Sequence, residues 1–194
     1  MKIGVLALQG DFREHRISLE KLGADVSEVR LPEQLAGLAG LIIPGGESTA
    51  IGKLMVAYGL LDAIREFGQT KAIWGTCAGA ILLSKEVGNN QPLLNLMDIS
   101  IQRNAFGRQI DSFEIDLPVP FLRPSQPDYH LTFIRGPIIT EVYGSARPLL
   151  SLPDGRIIAA QQGKLLATSF HPELTNDLRF HRYFMEMALS EFEN

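Results

Sequence analysis

Runs of consecutive hydrophobic residues alternate with amphipathic stretches in the first part of the chain. Residues 2–8 are apolar after the first position, as expected for a central parallel strand that is covered on both faces. Residues 12–22 place apolar side chains at helical spacing, and Gly23 is a suitable stop for that helix. The alternating residues 25–29 and the apolar residues 41–43 predict two more strands. The pattern up to this point is therefore strand, helix, strand, strand.

The alternation of strands and helices continues up to Leu83. A glycine-rich break at residues 44–49 precedes a helical pattern that runs through Tyr58 and resumes over residues 60–67. An apolar run then begins at Ala72 and leads through a short turn into another helical stretch. Strands and helices in this order predict an open α/β sheet wound by right-handed crossovers. In such a sheet the functional groups lie at the carboxyl ends of the strands.

The second half of the chain has a different character, because loops rich in Asn, Gly and Pro separate short β-like runs. These runs are residues 99–102, 112–117, 131–134, 138–143 and 156–161. The four prolines of residues 118–128 predict a surface excursion. Residues 164–170 form a further apolar strand. A last amphipathic helix is expected over residues 177–192, with Asn176 as its N-cap.

The stretch Gly75-Thr76-Cys77-Ala78-Gly79 lies between an apolar run and a predicted helix. It has the layout of a nucleophile elbow with sulfur in place of oxygen. Small residues on both sides of Cys77 allow the sharp turn, and the positive end of the following helix favours the thiolate, which is the reactive form. The alternative is that Cys77, the only cysteine in the chain, is a small buried hydrophobe. Other residues must decide between these two interpretations.

An acid and a base follow the last predicted strand. His171 and Glu173 are two residues apart on a segment that Pro172 is expected to hold extended, so both side chains project to the same side. Glu173 can then orient the imidazole while its other nitrogen faces Cys77, which supplies a catalytic triad. Each residue alone could be structural, His171 as a strand-end histidine and Glu173 as a helix-start acid. Together with an elbow cysteine they favour catalysis.

An acyl-transfer site also needs hydrogen-bond donors for the oxyanion that forms when a thiolate attacks a carbonyl group. The N–H of Ala78 at the helix start is one candidate. The N–H of Gly46 is the other, because a glycine allows the backbone to approach a substrate closely. The alternative for Gly45-Gly46 is an ordinary turn after a strand. Gln9-Gly10, Gly45-Gly46 and Cys77 each follow a strand, so all three are expected at one edge of the sheet.

Composition narrows the class of protein. The 194 residues, with 45% hydrophobic content, can build one full core, and we expect one domain over residues 1–194. A net charge of −4 without a basic run argues against a nucleic-acid surface. No apolar stretch approaches the roughly 18 residues that span a membrane. A single cysteine, an N-terminus without a signal-peptide pattern and the lack of a metal-ligand cluster predict a cytoplasmic protein that needs no metal.

Several motifs together resemble a known family. The elbow sequence with the later His171-Pro172-Glu173 is similar to the class I, or triad, glutamine amidotransferases. The closer resemblance is to the glutaminase subunits of pyridoxal phosphate synthase, and it extends from the first strand to the last helix. The motifs that carry it are Leu8-Gln9-Gly10 with Glu14-His15, Pro44-Gly45-Gly46-Glu47-Ser48-Thr49, Arg103-Asn104-Ala105-Phe106-Gly107-Arg108-Gln109 and Ser169-Phe170-His171-Pro172-Glu173-Leu174-Thr175. The arginine-containing motif is not shared by glutamine amidotransferases in general.

The resemblance implies a flavodoxin-like fold, with three layers and an open, mostly parallel sheet, and hydrolysis of L-glutamine to L-glutamate and ammonia without a cofactor. It implies Cys77 as the nucleophile, His171 as general base and then acid, and Glu173 as the residue that orients His171. The residues implied to hold glutamine are Gly46, Glu47, Ser48, Arg103, Ile134 and Arg135. Glutamine carries both an α-carboxylate and an α-ammonium group, so a guanidinium near an acid suits it.

The resemblance also implies a partner. Free ammonia would be protonated and lost in water, so the glutaminase is expected to pass it directly to a barrel-shaped synthase subunit that makes pyridoxal 5'-phosphate (vitamin B6). That synthase would be a ring of many copies, each carrying one glutaminase, in a large hetero-oligomer. The charged residues 9–15 are a candidate contact with it, or else a solvated helix start. If the Gly45-Gly46 peptide flips on docking, the partner would complete the oxyanion hole.

Two alternatives remain open. The chain could be another triad enzyme, such as a γ-glutamyl hydrolase or a different biosynthetic amidotransferase, which its substrate or partner would distinguish. It could instead be a non-catalytic binding or redox-sensing module that uses Cys77 as an oxidisable thiol and needs no base beside it. The other histidines, His15, His130 and His181, have no acid two residues further on, so we expect them at the surface or in a partner contact.

Overall fold

The hydrophobic runs of the sequence become the strands of a mixed sheet. The computed structural model describes residues 1–88, 90–103 and 112–190. The strands of these residues are β1 (Lys2–Leu6), β2 (Asp25–Val29), β3 (Gly40–Ile43), β4 (Ala72–Thr76), β5 (Ser84–Glu86), β6 (Met97–Gln102), β7 (Ser112–Leu117), β8 (Tyr129–Ile134), β9 (Ile138–Val142), β10 (Arg147–Ser151), β11 (Ile157–Gln162) and β12 (Leu165–Thr168). The helices are α1 (Phe12–Lys21), α2 (Ser48–Ala57), α3 (Leu60–Gly68), α4 (Ala78–Leu83) and α5 (Arg179–Leu189), with 3₁₀ turns at Pro32–Leu35 and Pro172–Leu174.

Ten of the described strands form one sheet in the order β2-β1-β3-β4-β12-β11-β9-β6-β5, with β10 paired to β11. The half of the sheet from β2 to β12 is parallel, whereas β12, β11, β9 and β6 pair antiparallel. Strands β7 and β8 make a separate antiparallel pair. Parallel neighbours need a crossover, which α1 supplies between β1 and β2, and α2 with α3 between β3 and β4. The predicted α/β class with a mostly parallel sheet is confirmed.

Hydrophobic side chains cover the sheet on both faces. Along β3 and β4, Leu41 and Ile73 point to one face, whereas Ile42 and Trp74 point to the other. Helices α2, α3 and α4 pack on the first face, and α1 and α5 pack on the second. Trp74 is fully buried among aromatic rings of α5, with its ring centre 5.7 Å from that of Phe184. The molecule therefore has the three layers that the resemblance implies.

The parallel register brings three strand ends to one edge. In the pairing of β4 with its neighbours, Gly75 lies opposite Ile43 and Thr76 lies opposite Thr168. The first residue after β4 is tied to the end of β12, because the N–H of Cys77 donates to the carbonyl of Thr168 at 2.8 Å. The loops that follow β1, β3, β4 and β12 consequently meet at the same edge, as the sequence predicted.

Some boundaries and elements differ from the sequence-based expectation. Strand β5 has three residues, two of them exposed, and β10 is largely exposed, so neither carries a hydrophobic run that could have predicted it. The last helix begins at Arg179, and Asn176 is not its N-cap. The carboxylate of Asp177 accepts the N–H of Arg179 at 3.0 Å, which starts the helix two residues later than expected. Residues 191–194 lie outside the described residues.

The proline-rich segment, residues 118–128, is anchored to the core. Val119 and Leu122 are buried, so the expectation of a surface excursion is wrong for these two side chains. The guanidinium of Arg179 donates to the carbonyl groups of Pro124 and Pro127 at 3.0 and 2.8 Å. These bonds satisfy backbone carbonyl groups of the segment, and they attach it to α5.

No helix within the described ranges is both long enough and apolar enough to cross a membrane.

Gly79 offers a test of how tightly the elbow is packed. A Cβ atom at this position would lie 2.0 Å from the carbonyl oxygen of Ile43, so Gly79→Ala must move the backbone of α4 or β3. We expect a loss of unfolding free energy of about 3 kcal/mol or more in urea titration. Gly37→Ala is the control, because a Cβ there meets open space and costs only about 1 kcal/mol for its left-handed backbone. Equal losses would contradict the described packing.

Candidate active site

Cys77 lies on a strained turn between β4 and α4. Its backbone has φ of 48° and ψ of −102°, a conformation that a residue with a side chain rarely adopts and that costs about 1–3 kcal/mol. The turn is possible because a Cβ on Gly75 would lie 2.4 Å from the backbone of Gly79, so only glycine fits there. This turn joins β4 directly to α4 at Cys77, so the predicted elbow is present.

His171 and Glu173 are in contact, although not for the predicted reason. His171 Nδ1 donates to Glu173 Oε1 at 2.7 Å, and both side chains are buried. Pro172 does not hold an extended segment, because Pro172–Leu174 is a 3₁₀ turn. The expectation of alternating side chains is therefore wrong, and the tight turn brings the carboxylate back to the imidazole instead.

The charge of His171 depends on its two neighbours. Burial acts to lower its pKa, but the hydrogen bonds and electrostatic interactions with Cys77 and Glu173 outweigh burial and raise the pKa to about 10. The imidazole is therefore protonated at neutral pH and faces the sulfur. Burial raises the pKa of Glu173, and the hydrogen bond and positive charge of His171 oppose that rise. The three groups thus form one coupled electrostatic unit.

The carboxylate of Asp11 lies next to this unit of titratable groups. Its Oδ2 is 3.6 Å from His171 Nδ1, and ligand atoms of Asp11, His171 and Glu173 lie within 4.8 Å of one another. The sequence did not suggest such a cluster. His171 Nδ1 already donates to Glu173, and a protonated imidazole has no lone pair for a metal ion. The arrangement therefore suits proton chemistry, and a metal-free site remains a prediction.

A cavity of about 410 Å³ opens above the sulfur. Its lining contains almost every residue that the sequence suggested for the site, and Glu173 lies behind His171. The lining residues are Asp11, Gly46, Glu47, Ser48, Cys77, Ala78, Ile81, Arg103, Ile134, Arg135 and His171. Asp11 and Ile81 are additions. The motif residues 104–109 that follow Arg103 lie outside the described residues.

Glu47 and Arg103 form the charged wall of the cavity. Glu47 caps α2 by accepting the N–H groups of Thr49 and Ala50 at 3.2 and 2.7 Å, and Arg103 donates to its Oε1 at 3.0 Å. Partial burial acts to raise the pKa of Glu47, but the backbone N–H groups and Arg103 hold it below its ordinary value. The wall therefore presents a fixed negative and a fixed positive charge side by side.

The loop after β3 is tied to the loop after β1. Gln9 Oε1 accepts the N–H of Glu47 at 2.8 Å, and the N–H of Asp11 donates to the carbonyl of Gly45 at 3.1 Å. Gly46 has φ of 150°, and a Cβ there would lie 2.6 Å from Gln9 Oε1. These contacts hold the candidate oxyanion donor Gly46 in its present orientation.

The remaining predicted residues surround the sulfur. The carbonyl oxygen of Ile134 lies 4.0 Å from Cys77 Sγ, and the next residue, Arg135, has φ of 48° and is exposed. Ser48 is buried at the start of α2 and donates to the side chain of Gln91 at 3.2 Å. Gln91 also accepts from Arg103 at 3.2 Å, so it supports the charged wall from below. Nothing in the sequence around Gln91 predicted this contact.

The sequence-based prediction was wrong for the positions of two histidines. His15 and His181 are fully buried, not at the surface, and only His130 is exposed, where it pairs with Asp116 at 2.7 Å. His15 Nε2 lies 3.3 Å from Glu173 Oε2, directly behind the cluster. Helical spacing could have indicated this, because His15 precedes the buried Leu19 by four residues, so both side chains lie on the inner face of α1.

Comparison with known proteins identifies the family. The model of the SNO glutamine amidotransferase family matches residues 5–190. The chain belongs to this family. Relatives named pyridoxal 5'-phosphate synthase subunit PdxT are 56% identical in Herpetosiphon aurantiacus, over 95% of this chain and 99% of the relative, and 53% identical in Moorella thermoacetica, over 96% and 99%. The sequence-based resemblance to glutamine amidotransferases, and the closer resemblance to the glutaminase subunits of pyridoxal phosphate synthase, are both confirmed.

Solved structures agree with the fold. A crystal structure of a glutamine amidotransferase superposes with a TM-score of 0.90 at 49% identity, over 96% of this chain and 98% of that one. A GMP synthase subunit from Thermoplasma acidophilum superposes with a TM-score of 0.68 at 17% identity, over 97% and 94%. The second match concerns the fold alone. The roles of the cavity residues therefore rest on their geometry in this structure.

The raised pKa of His171 can be measured directly. We expect its imidazole NMR signals to stay in the protonated form through neutral pH, because the interactions with Cys77 and Glu173 hold the pKa of His171 at about 10. The same interaction contributes stability that is complete below pH 6.5, the ordinary pKa, and lost as the pH rises through about 10. Cys77→Ala removes one of the two partners, so His171 should then titrate at lower pH. If His171 titrates at the same pH in Cys77→Ala, the interaction between His171 and Cys77 is contradicted. The variant His130→Gln identifies the NMR signals of the exposed histidine, so that they are not mistaken for those of His171.

Proposed function

We propose that this protein hydrolyses L-glutamine to L-glutamate and ammonia through a γ-glutamyl thioester on Cys77, and that the ammonia serves a pyridoxal 5'-phosphate synthase. The observation that carries the proposal is the placement of Cys77, His171 and Glu173 in one coupled unit at the base of a cavity. Relatives that are 50–56% identical carry the name of one of the subunits of that synthase, which supports the assignment.

The sulfur of Cys77 attacks the carboxamide carbon of glutamine, and the C–N bond then breaks. His171, which carries a proton at neutral pH, gives it to the leaving nitrogen, so ammonia departs and a thioester remains. His171 is then a neutral base that takes a proton from water, and the hydroxide displaces sulfur from the acyl carbon. Glutamate leaves, and the proton returns the site to its starting state. Glu173 keeps Nδ1 of the imidazole in place through both steps.

The oxyanion of each tetrahedral intermediate needs two donors. The N–H of Ala78 belongs to the first turn of α4, where backbone N–H groups have no partner within the helix. The N–H of Gly46 is the second donor. The carbonyl of Gly45 accepts from Asp11, so reorienting the peptide between Gly45 and Gly46 must break that bond. We therefore expect the donor at Gly46 to depend on the loops that hold it.

The charged wall suits the α-carbon of glutamine. Arg103 is the partner for the α-carboxylate and Glu47 for the α-ammonium group, since the two side chains lie 3.0 Å apart and offer opposite charges. An entering zwitterion would replace their mutual contact with one contact to each. Gly46, Ser48, Ile134 and Arg135 line the path between this wall and the sulfur.

Ammonia must reach its consumer without entering bulk water, where it would be protonated. We infer that the whole chain acts as one glutaminase domain in the cytoplasm and docks on a barrel-shaped synthase subunit, in a ring with one glutaminase for each synthase copy. The exposed side chains of Arg13 and Glu14, beside the active edge, are candidates for that contact. Neither nucleic acid nor a membrane has a place in this scheme.

Substitution in the proposed triad tests the chemistry. We expect Cys77→Ala and His171→Ala to lower glutamate release in the presence of the synthase subunit by about 10³-fold or more, because each removes an obligatory step. His130→Gln changes an exposed histidine and should leave the rate unchanged. Activity that survives His171→Ala would favour the redox or binding module. Hydrolysis of γ-glutamyl peptides in preference to glutamine would favour the γ-glutamyl hydrolase.

Dependence on the partner is a separate test. If docking reorients the peptide between Gly45 and Gly46, glutamate release by the isolated chain should be slow and should rise at least tenfold when the synthase subunit is added. The aldehyde product, pyridoxal 5'-phosphate, is followed in the same mixture with the synthase's phosphorylated sugar substrates. Equal rates of glutamate release with and without the synthase would reject the docking step and leave the triad untouched.

A further inference from the structure

A buried histidine stands behind the carboxylate of Glu173. His15 belongs to the first half of α1 and has no exposed surface. Its Nε2 is 3.3 Å from Glu173 Oε2 and 3.1 Å from the hydroxyl of Thr76, the residue before Cys77. Its Nδ1 is 3.0 Å from Nε2 of His181 on α5. His15 thus joins the helix layer to both ends of the proposed triad.

The second oxygen of Glu173 lacks a strong partner. Oε1 accepts the N–H of His171 at 2.7 Å, but Oε2 is buried and makes no well-formed hydrogen bond to any residue in the part of the chain that is described. A buried carboxylate oxygen without a donor is costly, because it has given up its hydrogen bonds to water without replacing them. His15 Nε2 is the nitrogen placed to supply that donor.

The contacts decide which nitrogen of His15 carries the proton. If Nε2 were bare, its lone pair would face a carboxylate oxygen at 3.3 Å, which is repulsive. With the proton on Nε2, this N–H lies 3.1 Å from the hydroxyl oxygen of Thr76 and 3.3 Å from Glu173 Oε2, measured from the nitrogen, and Nδ1 of His15 accepts the N–H of His181. His181 then keeps its own Nδ1 bare, which agrees with the absence of a hydrogen-bond partner for that atom among the described residues. The N–H groups therefore all point from α5 towards Glu173.

Both histidines are neutral, so this is a chain of dipoles and not of charges. Burial above all, and then the proximity of His181 and His171, hold the pKa of His15 well below its ordinary value, and burial lowers the pKa of His181 to about 3. A neutral donor stabilises the ionised form of Glu173 without competing with His171 for the role of counter-ion. The other titratable groups that face Glu173 are Asp11 and Tyr129.

We propose that His15 is a positioning residue of the site: its Nε2–H, oriented by His181, holds Glu173 Oε2 so that Oε1 remains on Nδ1 of His171. This rests on the proposed function, in which the imidazole must transfer two protons while its ring stays aimed at the sulfur. The hydroxyl of Thr76 shares the same nitrogen and links it to the strand end that carries Cys77.

Two amide substitutions separate this role from simple packing. Glutamine places its amide nitrogen where His15 has Nε2, so His15→Gln can still donate to Glu173. Asparagine places an amide atom where His15 has Nδ1, so with its oxygen there His15→Asn can accept the N–H of His181 but cannot reach Glu173. We expect His15→Asn to lower kcat for glutamine about 10- to 100-fold with KM changed less than twofold, whereas His15→Gln retains most of the wild-type kcat.

The pH profile provides a readout that packing alone would not move. A lost donor to the ionised carboxylate raises the pKa of Glu173. In His15→Asn the acid limb of kcat against pH should therefore move to higher pH, and in His15→Gln it should stay near the wild-type position. The NMR signal of the Nδ1 proton of His171 should move in His15→Asn, because its acceptor is no longer held. His130→Gln serves as the matched surface control.

The outcomes separate this inference from the proposed function. If Glu173→Gln leaves kcat unchanged, the proposed triad itself fails. If Glu173→Gln lowers kcat but folded His15→Asn keeps the wild-type kcat and acid limb, only the role of His15 is overturned. If His15→Asn does not fold, the decision rests on His181→Phe, which removes the N–H that sets the tautomer of His15. An unchanged pH profile and unchanged His171 signal in folded His181→Phe would likewise overturn the inference.

Discussion

The site depends on the parallel alignment of β4 between β3 and β12. The hydrogen bond from the N–H of Cys77 to the carbonyl of Thr168 fixes where the nucleophile leaves the sheet, and the chain reaches His171 three residues after that same Thr168. Two residues far apart in sequence are therefore placed side by side by a ladder of backbone bonds, independently of their side chains. The strain at Cys77 is tolerated because packing at Gly75 and Gly79 leaves the turn no other path.

Burial strengthens the electrostatic interactions within the proposed triad. Water would screen the charges of the imidazole and the carboxylate, but both groups are almost fully buried, so each responds strongly to the other and to the sulfur. Burial alone would leave the imidazole neutral, and its interactions with Cys77 and Glu173 reverse that tendency. In the same low dielectric, Oε2 of Glu173 would be costly without a donor, and the donor we propose is a polar side chain of the helix layer, His15.

The two faces of the sheet have different tasks. Helices α2 and α4 pack on one face and present their first residues to the cavity, where Ser48 and Ala78 lie. Helices α1 and α5 pack on the other face, and the aromatic cluster around Trp74 and Phe180 surrounds their two histidines. A cavity that would bind substrate thus meets a hydrophobic layer that supports it, with Glu173 at the junction.

The sequence by itself determined the layers, the strand ends and the elbow, because buried strands need continuous hydrophobic runs and a sharp turn needs small residues around Cys77. Through the family resemblance it also named most of the residues that line the cavity, although not Asp11 and Ile81. Only the tertiary structure decided that a 3₁₀ turn, and not an extended segment, joins His171 to Glu173, and that His15 and His181 lie inside. The physical reason is that a polar side chain is buried when distant groups satisfy it. The partners of His15 come from β4, from α5 and from the turn at Glu173, which no local pattern could place together.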